Sequence, residues 1–126
     1  MKEAPTLHAA PMPIGPYSPV VRTSGDLYFF SGQIALSADA TEIVGSTAAE
    51  QTERICTTLV AMLKELGLSI DNVVKTTVFL RSMDDFASMN AVYERYFGTS
   101  KPARSTVEVS RLPKGALVEI EIIAVR

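Results

Sequence analysis

The sequence predicts an α+β fold in two layers, with two helices on one face of a sheet of about five or six strands. Several segments alternate polar and apolar residues with the two-residue period of strands, and two segments repeat apolar residues with the period of a helix. The predicted order is β-β-α-β-α-β-β. The 126 residues, 47% of them hydrophobic and 21% charged, suffice for one packed core, so we expect a single domain over residues 1–126.

A proline-rich segment precedes the first strands. Residues 10–19, "APMPIGPYSP", carry four prolines and one glycine, which is typical of a loop of fixed shape. The prolines also fit the PxxP pattern of SH3 ligands, but an ordered loop is favoured because the chain shows no other low-complexity feature. Strands are predicted over residues 19–23 and 27–32, and the second, "LYFFSG", directs apolar residues to both faces.

The first predicted helix has recognisable ends. Thr47 and Glu50 have the spacing of a capping box, and Gly67 stands where a helix C-cap is expected. One apolar stripe recurs between them at helical spacing: Ile55, Leu59, Met62, Leu63 and Leu66. Cys56 neighbours this stripe, and core packing is favoured over a nucleophile because the sequence offers it no neighbouring base.

A third strand and a second helix are predicted over residues 72–81 and 84–97. The helix carries an aromatic and apolar stripe that we interpret as core: Phe86, Met89, Tyr93, Tyr96 and Phe97. Asp84 and Asp85 look like a catalytic carboxylate pair. Acidic residues in the first turn of a helix interact favourably with its dipole, however, so a structural role is favoured.

Two strands close the chain, over residues 105–110 and 117–125. In "KPARSTVEV", alternation places Arg104, Thr106 and Glu108 on a polar side, where the arginine could meet water, an ion-pair partner or a ligand. The last strand, "LVEIEIIAV", has apolar residues on both faces. Because two helices cover only one face of a sheet, we expect a partner subunit to cover the second face.

Composition argues against several classes of function. The formal net charge of −2 argues against a globally basic, nucleic-acid-binding surface. His8 and Cys56 are each the single residue of their type, so one chain cannot assemble a zinc site from such ligands. The sequence has no 18-residue apolar run and its N-terminus lacks the features of a secretion signal, so we expect a cytoplasmic protein with no membrane association.

Five motifs in order make the chain similar to the RidA (YjgF) family: "IGPYS", "FSGQI", "VVKTTVFL", "DDFASMNAVYERYF" and "PARSTVEVSRLPKGALVEIEIIAV". The resemblance implies a chorismate-mutase-like domain with a mixed sheet, assembled as a homotrimer with active sites between subunits. It also implies a cofactor-independent deaminase that hydrolyses reactive 2-imino acids, such as 2-iminobutanoate and 2-iminopropanoate, to 2-oxo acids and ammonia. Such an enzyme protects other enzymes from metabolite damage.

The resemblance also implies roles for individual residues. Arg104 would bind the substrate carboxylate through two parallel hydrogen bonds, and Glu119 would activate the attacking water. Tyr17 would close over the substrate. The remaining substrate-binding residues would be Ser31, Gly32, Asn90 and Thr106, the last standing where many members of the family have cysteine.

Structural roles for these residues remain as alternatives. An isolated strand arginine is more often a surface cation or half of an ion pair, although the surrounding motifs favour a site. Glu119 could be a solvated carboxylate beside Glu121, and Tyr17 could pack its loop. Ser31–Gly32 could be a turn, and Asn90 an exposed helix residue.

Two other functions stay open at the sequence level. Some members of the family are described as endoribonucleases that inhibit translation, although this chain lacks a face that combines aromatic and basic residues. A non-catalytic trimer that binds small acids in the same clefts would use Arg104 in the same way. Of the predicted site residues, only Glu119 favours a catalytic function over binding alone.

Overall fold

The structure, a computed structural model, describes residues 2–15, 17–23 and 25–126. It contains six strands and two α-helices in this order: β1 Lys2–Glu3, β2 Val20–Thr23, β3 Leu27–Phe30, α1 Ala48–Glu65, β4 Val73–Leu80, α2 Phe86–Phe97, β5 Ala103–Glu108 and β6 Val118–Val125. Three short 3-10 helices lie in the connections: Ile70–Asn72, Met83–Asp85 and Pro113–Gly115. The predicted α+β class and the order of the elements are confirmed, with the short β1 as an addition.

The six strands form one mixed sheet in the order β1-β2-β3-β6-β4-β5. Neighbouring strands in this sheet are antiparallel, except for β4 and β5, which are parallel. Parallel neighbours need a crossover connection, and α2 lies in it. This topology places β4 between β5, which carries Arg104, and β6, which carries Glu119.

The core lies between the helices and one face of the sheet. The apolar stripe of α1 is buried as predicted, with Ile55, Leu59, Met62 and Leu63 fully so. The sheet contributes to the same core the side chains Val78, Leu80, Val118, Ile120, Ile122 and Ala124. Cys56 is also fully buried there, and burial raises the pKa of its thiol to about 12. The thiol therefore stays protonated at neutral pH, in agreement with a packing role.

The predicted ends of α1 are confirmed. Thr47 is the N-cap, and its hydroxyl accepts a hydrogen bond from the Glu50 amide at 3.2 Å while Glu50 Oε1 accepts from the Thr47 amide at 3.2 Å. The C-cap is Leu66, and Gly67 follows it with φ +73°. Glycine suits this position because other residues adopt the left-handed region only at a cost.

The predicted boundaries of three elements were wrong by two residues. Helix α2 begins at Phe86 rather than at residue 84, because Ser82 caps the Met83–Asp85 turn and places Asp84 and Asp85 before the α-helix. Strand β3 ends at Phe30, so Ser31 and Gly32 lie beyond it. Strand β5 spans Ala103–Glu108 rather than residues 105–110, which puts Arg104 inside the strand.

The second face of the sheet carries apolar side chains that no element of this chain covers in its described part. Strand pairing places on this face Leu27, Phe29, Phe79, Val107, Ile123 and Val125. Phe29 is 41% exposed and Val107 43%. The prediction of apolar residues on both faces is confirmed, and we call this second surface the open face.

Within residues 2–15, 17–23 and 25–126, neither helix combines the length and the apolar composition that a membrane crossing requires.

Candidate active site

Arg104 lies on the side of the sheet that the helices cover. Its strand register pairs it with Thr76 of β4, and both side chains point toward α2. The Nη1 of Arg104 donates to Asn90 Oδ1 at 2.7 Å, and its guanidinium carbon lies 4.6 Å from the centre of the Tyr93 ring. In the described part of the chain no salt bridge joins Arg104 to a carboxylate. The arginine is thus held in place and keeps donors for an anion.

The support under Arg104 extends into the core. The Tyr93 hydroxyl shares a hydrogen bond of 2.8 Å with Oγ1 of Thr76, a residue with no exposed surface. The Tyr93 ring stacks on Phe97 with 4.5 Å between centroids. Burial raises the pKa of the Tyr93 phenol, so the hydroxyl is neutral at physiological pH.

Thr106 and Glu108 follow Arg104 on the same side of β5. Glu108 is engaged, since its carboxylate accepts from the Met83 amide at 2.8 Å. The Thr106 hydroxyl is buried and has no hydrogen-bond partner among the described residues. A buried polar group of this kind favours the arrival of a partner or ligand that can hydrogen-bond to it. We call Arg104, Asn90, Tyr93 and Thr106 the arginine half-site; a cavity of about 480 Å³ adjoins it.

Glu119 lies on the open face, two strands away. It lines a cavity of about 270 Å³ together with Tyr17, Ser31 and Gly32. The remaining lining is mostly apolar: Pro11, Ile14, Pro19, Ile34, Leu36 and Pro113, with Gln33. Burial, and to a smaller extent the negative charge of Glu121, raise the pKa of the Glu119 carboxyl. A raised pKa makes this carboxylate a better proton acceptor than a solvated glutamate.

The backbone after β3 brings Gly32 against Glu119. Gln33 and Ile120 exchange backbone hydrogen bonds of 2.8 and 3.0 Å, which fixes the segment beside β6. A Cβ atom at Gly32 would overlap the Glu119 carboxylate, with 2.8 Å to its carboxyl carbon and a still shorter approach to Oε2. The glycine therefore leaves the space that the carboxylate occupies.

The proline-rich loop closes the other side of this cavity. The Ser31 hydroxyl donates to the Ser18 carbonyl at 2.6 Å, and the Ser31 amide donates to the Pro19 carbonyl at 3.0 Å. These bonds hold the end of the loop on the strand, while Tyr17 lies at the rim with 44% of its surface exposed. We call Glu119, Gly32, Ser31 and Tyr17 the glutamate half-site. Pro16 of the predicted loop lies outside the described residues.

The seven residues predicted for the site thus fall into two groups on opposite faces of the sheet. Arg104, Asn90 and Thr106 lie on the helix side, and the other four lie on the open face. Strand β4 separates the two groups. Within one chain the predicted site residues therefore form two separate clusters rather than one.

Sequence reasoning missed the residues beneath Arg104. Tyr93 was interpreted as core alone, although it follows Asn90 by three residues and so shares its helix face. Phe86, whose ring centre lies 5.5 Å from the guanidinium carbon, was interpreted in the same way. Thr76 gave a weak signal as a polar residue in an apolar strand. Across the described ranges, no group of three His, Cys, Asp or Glu residues is arranged to hold a metal ion.

Fold and half-sites together define a small two-layer α+β protein with a carboxylate cavity on one face and an aromatic-supported arginine on the other. The model of the family described as Endoribonuclease L-PSP matches residues 7–126. The chain belongs to this family, which is the RidA (YjgF) family that the motifs indicated.

Named relatives cover nearly the whole chain. A RutC family protein of Pyrococcus abyssi is 50% identical over 98% of this chain and 96% of its own length. A mouse protein named 2-iminobutanoate/2-iminopropanoate deaminase is 42% identical over 93% of this chain and 86% of its own length. Among solved structures, TdcF of Escherichia coli with bound serine is 38% identical, with a TM-score of 0.84 over 96% of each chain.

Proposed function

We propose that this protein hydrolyses 2-imino acids, such as 2-iminobutanoate and 2-iminopropanoate, to 2-oxo acids and ammonia without a cofactor. The observation that carries the proposal is the guanidinium of Arg104, which is fixed by Asn90 and Tyr93 and has no carboxylate partner in the described chain. The name of the mouse relative supports the reaction, and the serine bound to TdcF supports a small ligand with a carboxylate. A cytoplasmic role in removing reactive metabolites is part of the proposal.

A homotrimer is the second part of the proposal. The two half-sites lie on opposite faces of one sheet, so a single substrate reaches both only if they come from different subunits. The open face carries Phe29 and Val107 with about two fifths of each exposed, a surface that a second copy would cover. Family membership supports the same assembly.

The proposed chemistry assigns one task to each half-site. Arginine has five N–H donors, and Nη1 of Arg104 donates to Asn90. The remaining N–H groups can donate to the substrate carboxylate and fix its orientation. Glu119 of another subunit accepts a proton from water as the water oxygen adds to the imine carbon. The nitrogen takes this proton from Glu119, which gives a neutral carbinolamine. Glu119 then accepts the hydroxyl proton of the carbinolamine and passes it to the nitrogen as the C–N bond breaks, so that ammonia leaves and the carbonyl of the 2-oxo acid forms.

The other residues of the glutamate half-site shape the substrate pocket. Gly32 leaves room for the Glu119 carboxylate, and Ser31 holds the loop that carries Tyr17. Tyr17 would close over the bound substrate from the rim of the cavity. The unpartnered Thr106 hydroxyl of the arginine half-site can donate to the substrate or accept from it.

A trapping assay tests the reaction. Threonine dehydratase releases 2-iminobutanoate from threonine, and semicarbazide traps whatever imine survives. Native protein should suppress semicarbazone formation, and Arg104→Ala should hydrolyse the imine roughly tenfold to several hundredfold more slowly because charge-assisted hydrogen bonds are lost. Arg95→Ala is the matched control, since this exposed arginine pairs with Glu53. If native protein and Arg95→Ala both fail to suppress semicarbazone formation, the proposal is overturned.

A second variant separates catalysis from binding alone. Glu119→Gln should still bind 2-oxobutanoate, measured by calorimetry, while it loses imine hydrolysis. Undiminished turnover would contradict the role of Glu119 as the proton acceptor. Binding of 2-oxobutanoate by native protein without any turnover would instead identify a non-catalytic module that binds small acids.

The description of the family as an endoribonuclease supports one other candidate function, RNA cleavage. The net charge of −2 argues against it, because neutralisation of phosphates supplies most of the affinity for RNA. Incubation of a labelled single-stranded RNA with native protein and with Glu119→Gln tests it. Cleavage by native protein that tracks the purified oligomer and weakens with salt would favour this candidate.

A further inference from the structure

Two aromatic rings and one side-chain amide of α2 surround the guanidinium of Arg104. Tyr93 places the centre of its ring 4.6 Å from the guanidinium carbon, within the range of a cation–π interaction. Phe86 lies about two turns earlier on the same helix face, and its ring centre is 5.5 Å from the guanidinium carbon. With Asn90 between them in sequence, three residues of α2 hold one side chain.

The hydroxyl of Tyr93 fixes the ring itself. It bonds to Thr76 Oγ1 at 2.8 Å, and Thr76 is the residue that pairs with Arg104 across β4 and β5. Tyr93 thus spans two neighbouring strand positions, with its ring under Arg104 and its hydroxyl on Thr76. A buried hydroxyl needs a partner, and each of these two supplies the other's.

We propose that Tyr93, anchored by Thr76, is a positioning residue that fixes the guanidinium of Arg104 in the orientation in which it binds a carboxylate. The identity of the bound group as a substrate carboxylate rests on the proposed function. The fixing of the guanidinium does not.

An arginine side chain has several rotatable bonds and loses considerable rotamer freedom when it is held in one place. If Tyr93 holds Arg104 before a ligand arrives, part of that loss occurs on folding rather than on binding. The bound state then costs less entropy, and the two parallel hydrogen bonds to a planar carboxylate keep their geometry. Removal of the ring should weaken carboxylate binding even though the arginine remains.

The test combines arginine side-chain NMR with ligand affinity on the full-length protein. The Arg104 signals, assigned by their loss in Arg104→Ala, should show upfield ring-current shifts and slow guanidinium rotation in native protein. Tyr93→Leu should reduce both features, since only Phe86 and Asn90 then contact the guanidinium, and should weaken 2-oxobutanoate binding by about tenfold, as expected for loss of a cation–π contact. Tyr96→Leu is the matched control, because Tyr96 lies on the same helix under Arg95 instead.

The hydrogen bond between Tyr93 and Thr76 can be tested separately with milder substitutions. Thr76→Val and Tyr93→Phe each remove one hydroxyl of the shared hydrogen bond and keep the ring, and each should weaken binding by roughly two- to threefold. The double variant should bind 2-oxobutanoate as tightly as the single variant with the lower affinity, because both changes remove the same interaction. Additive losses would overturn the role of Thr76 as the anchor.

The outcomes separate this inference from the proposed function. If Tyr93→Leu mobilises the guanidinium while native protein neither binds 2-oxobutanoate nor hydrolyses the imine, the positioning role stands and the proposed function falls. Unchanged Arg104 signals in a folded Tyr93→Leu protein would overturn the positioning role. An equal loss of affinity in Tyr96→Leu would overturn it as well, because the effect would then be structural.

Discussion

At the scale of single residues, Gly32 controls the space around the Glu119 carboxylate. A methyl group at this position would overlap the carboxylate, so Gly32→Ala should displace Glu119 and lower kcat/KM by at least about tenfold, the size of effect expected when a catalytic group is misplaced. Gly15→Ala is the control, since its Cβ would meet the Tyr17 ring at an ordinary 3.6 Å. Equal activity losses in the two variants would contradict this account of Gly32.

Glu121 provides a residue-scale test of the electrostatics. It lies two residues from Glu119 on the same face of β6, and its charge adds to burial in raising the pKa of Glu119. The proposed activation of water needs Glu119 ionised, so activity should fall as the pH drops through this raised pKa. Glu121→Gln removes the repulsive charge and lowers the pKa, which should move the acid limb of kcat/KM to lower pH. An acid limb that stays in place or moves upward would count against Glu119 as the titrating group.

At the scale of elements, the capping box of α1 makes a prediction about stability. Thr47→Ala removes the hydroxyl that accepts from the Glu50 amide and should lower the free energy of unfolding by about 1 kcal/mol. The control is Thr57→Ala, which removes an exposed mid-helix hydroxyl bonded to the Arg54 carbonyl. Urea unfolding at one protein concentration measures both variants, and equal changes would show that the cap contributes nothing specific.

The same scale shows what the sequence could predict. The core stripe of α1 and its cap were predictable because periodicity and capping chemistry are local. Strand β1 was not, because Lys2–Glu3 has no apolar pattern and owes its place to pairing with β2, including the 2.7 Å salt bridge from Glu3 to Arg22. The start of α2 was misplaced because the Ser82 cap and the Glu108 carboxylate stabilise a 3-10 turn first.

The candidate site was predictable by residue but not by arrangement. Resemblance named Arg104 and Glu119, yet their separation depends on the order β6-β4-β5 and on which way each side chain points. Alternation within one strand fixes which residues share a face, but it cannot say which face the helices cover. The support from Tyr93 depends on the register between Arg104 and Thr76, which only strand pairing defines.

At the scale of the whole molecule, a single chain leaves the open face exposed and keeps the two half-sites apart. The open face keeps Phe29 and Val107 exposed, and each half-site lacks the groups that the other holds. Association of identical subunits in a closed ring would cover the face and join the arginine half-site of one subunit to the glutamate half-site of the next. The central claim is therefore that Arg104 and Glu119 of different subunits act on one substrate.

Mixing two inactive variants tests this claim most directly. Arg104→Ala and Glu119→Gln proteins are unfolded together, refolded at equal concentrations and assayed for 2-iminobutanoate hydrolysis beside each variant refolded alone. In random trimers an intact Arg104 meets an intact Glu119 at about one interface in four, so the mixture should recover about a quarter of native activity. A mixture as inactive as its components, although hetero-oligomers have formed, would show that both residues act from the same subunit and would contradict the account.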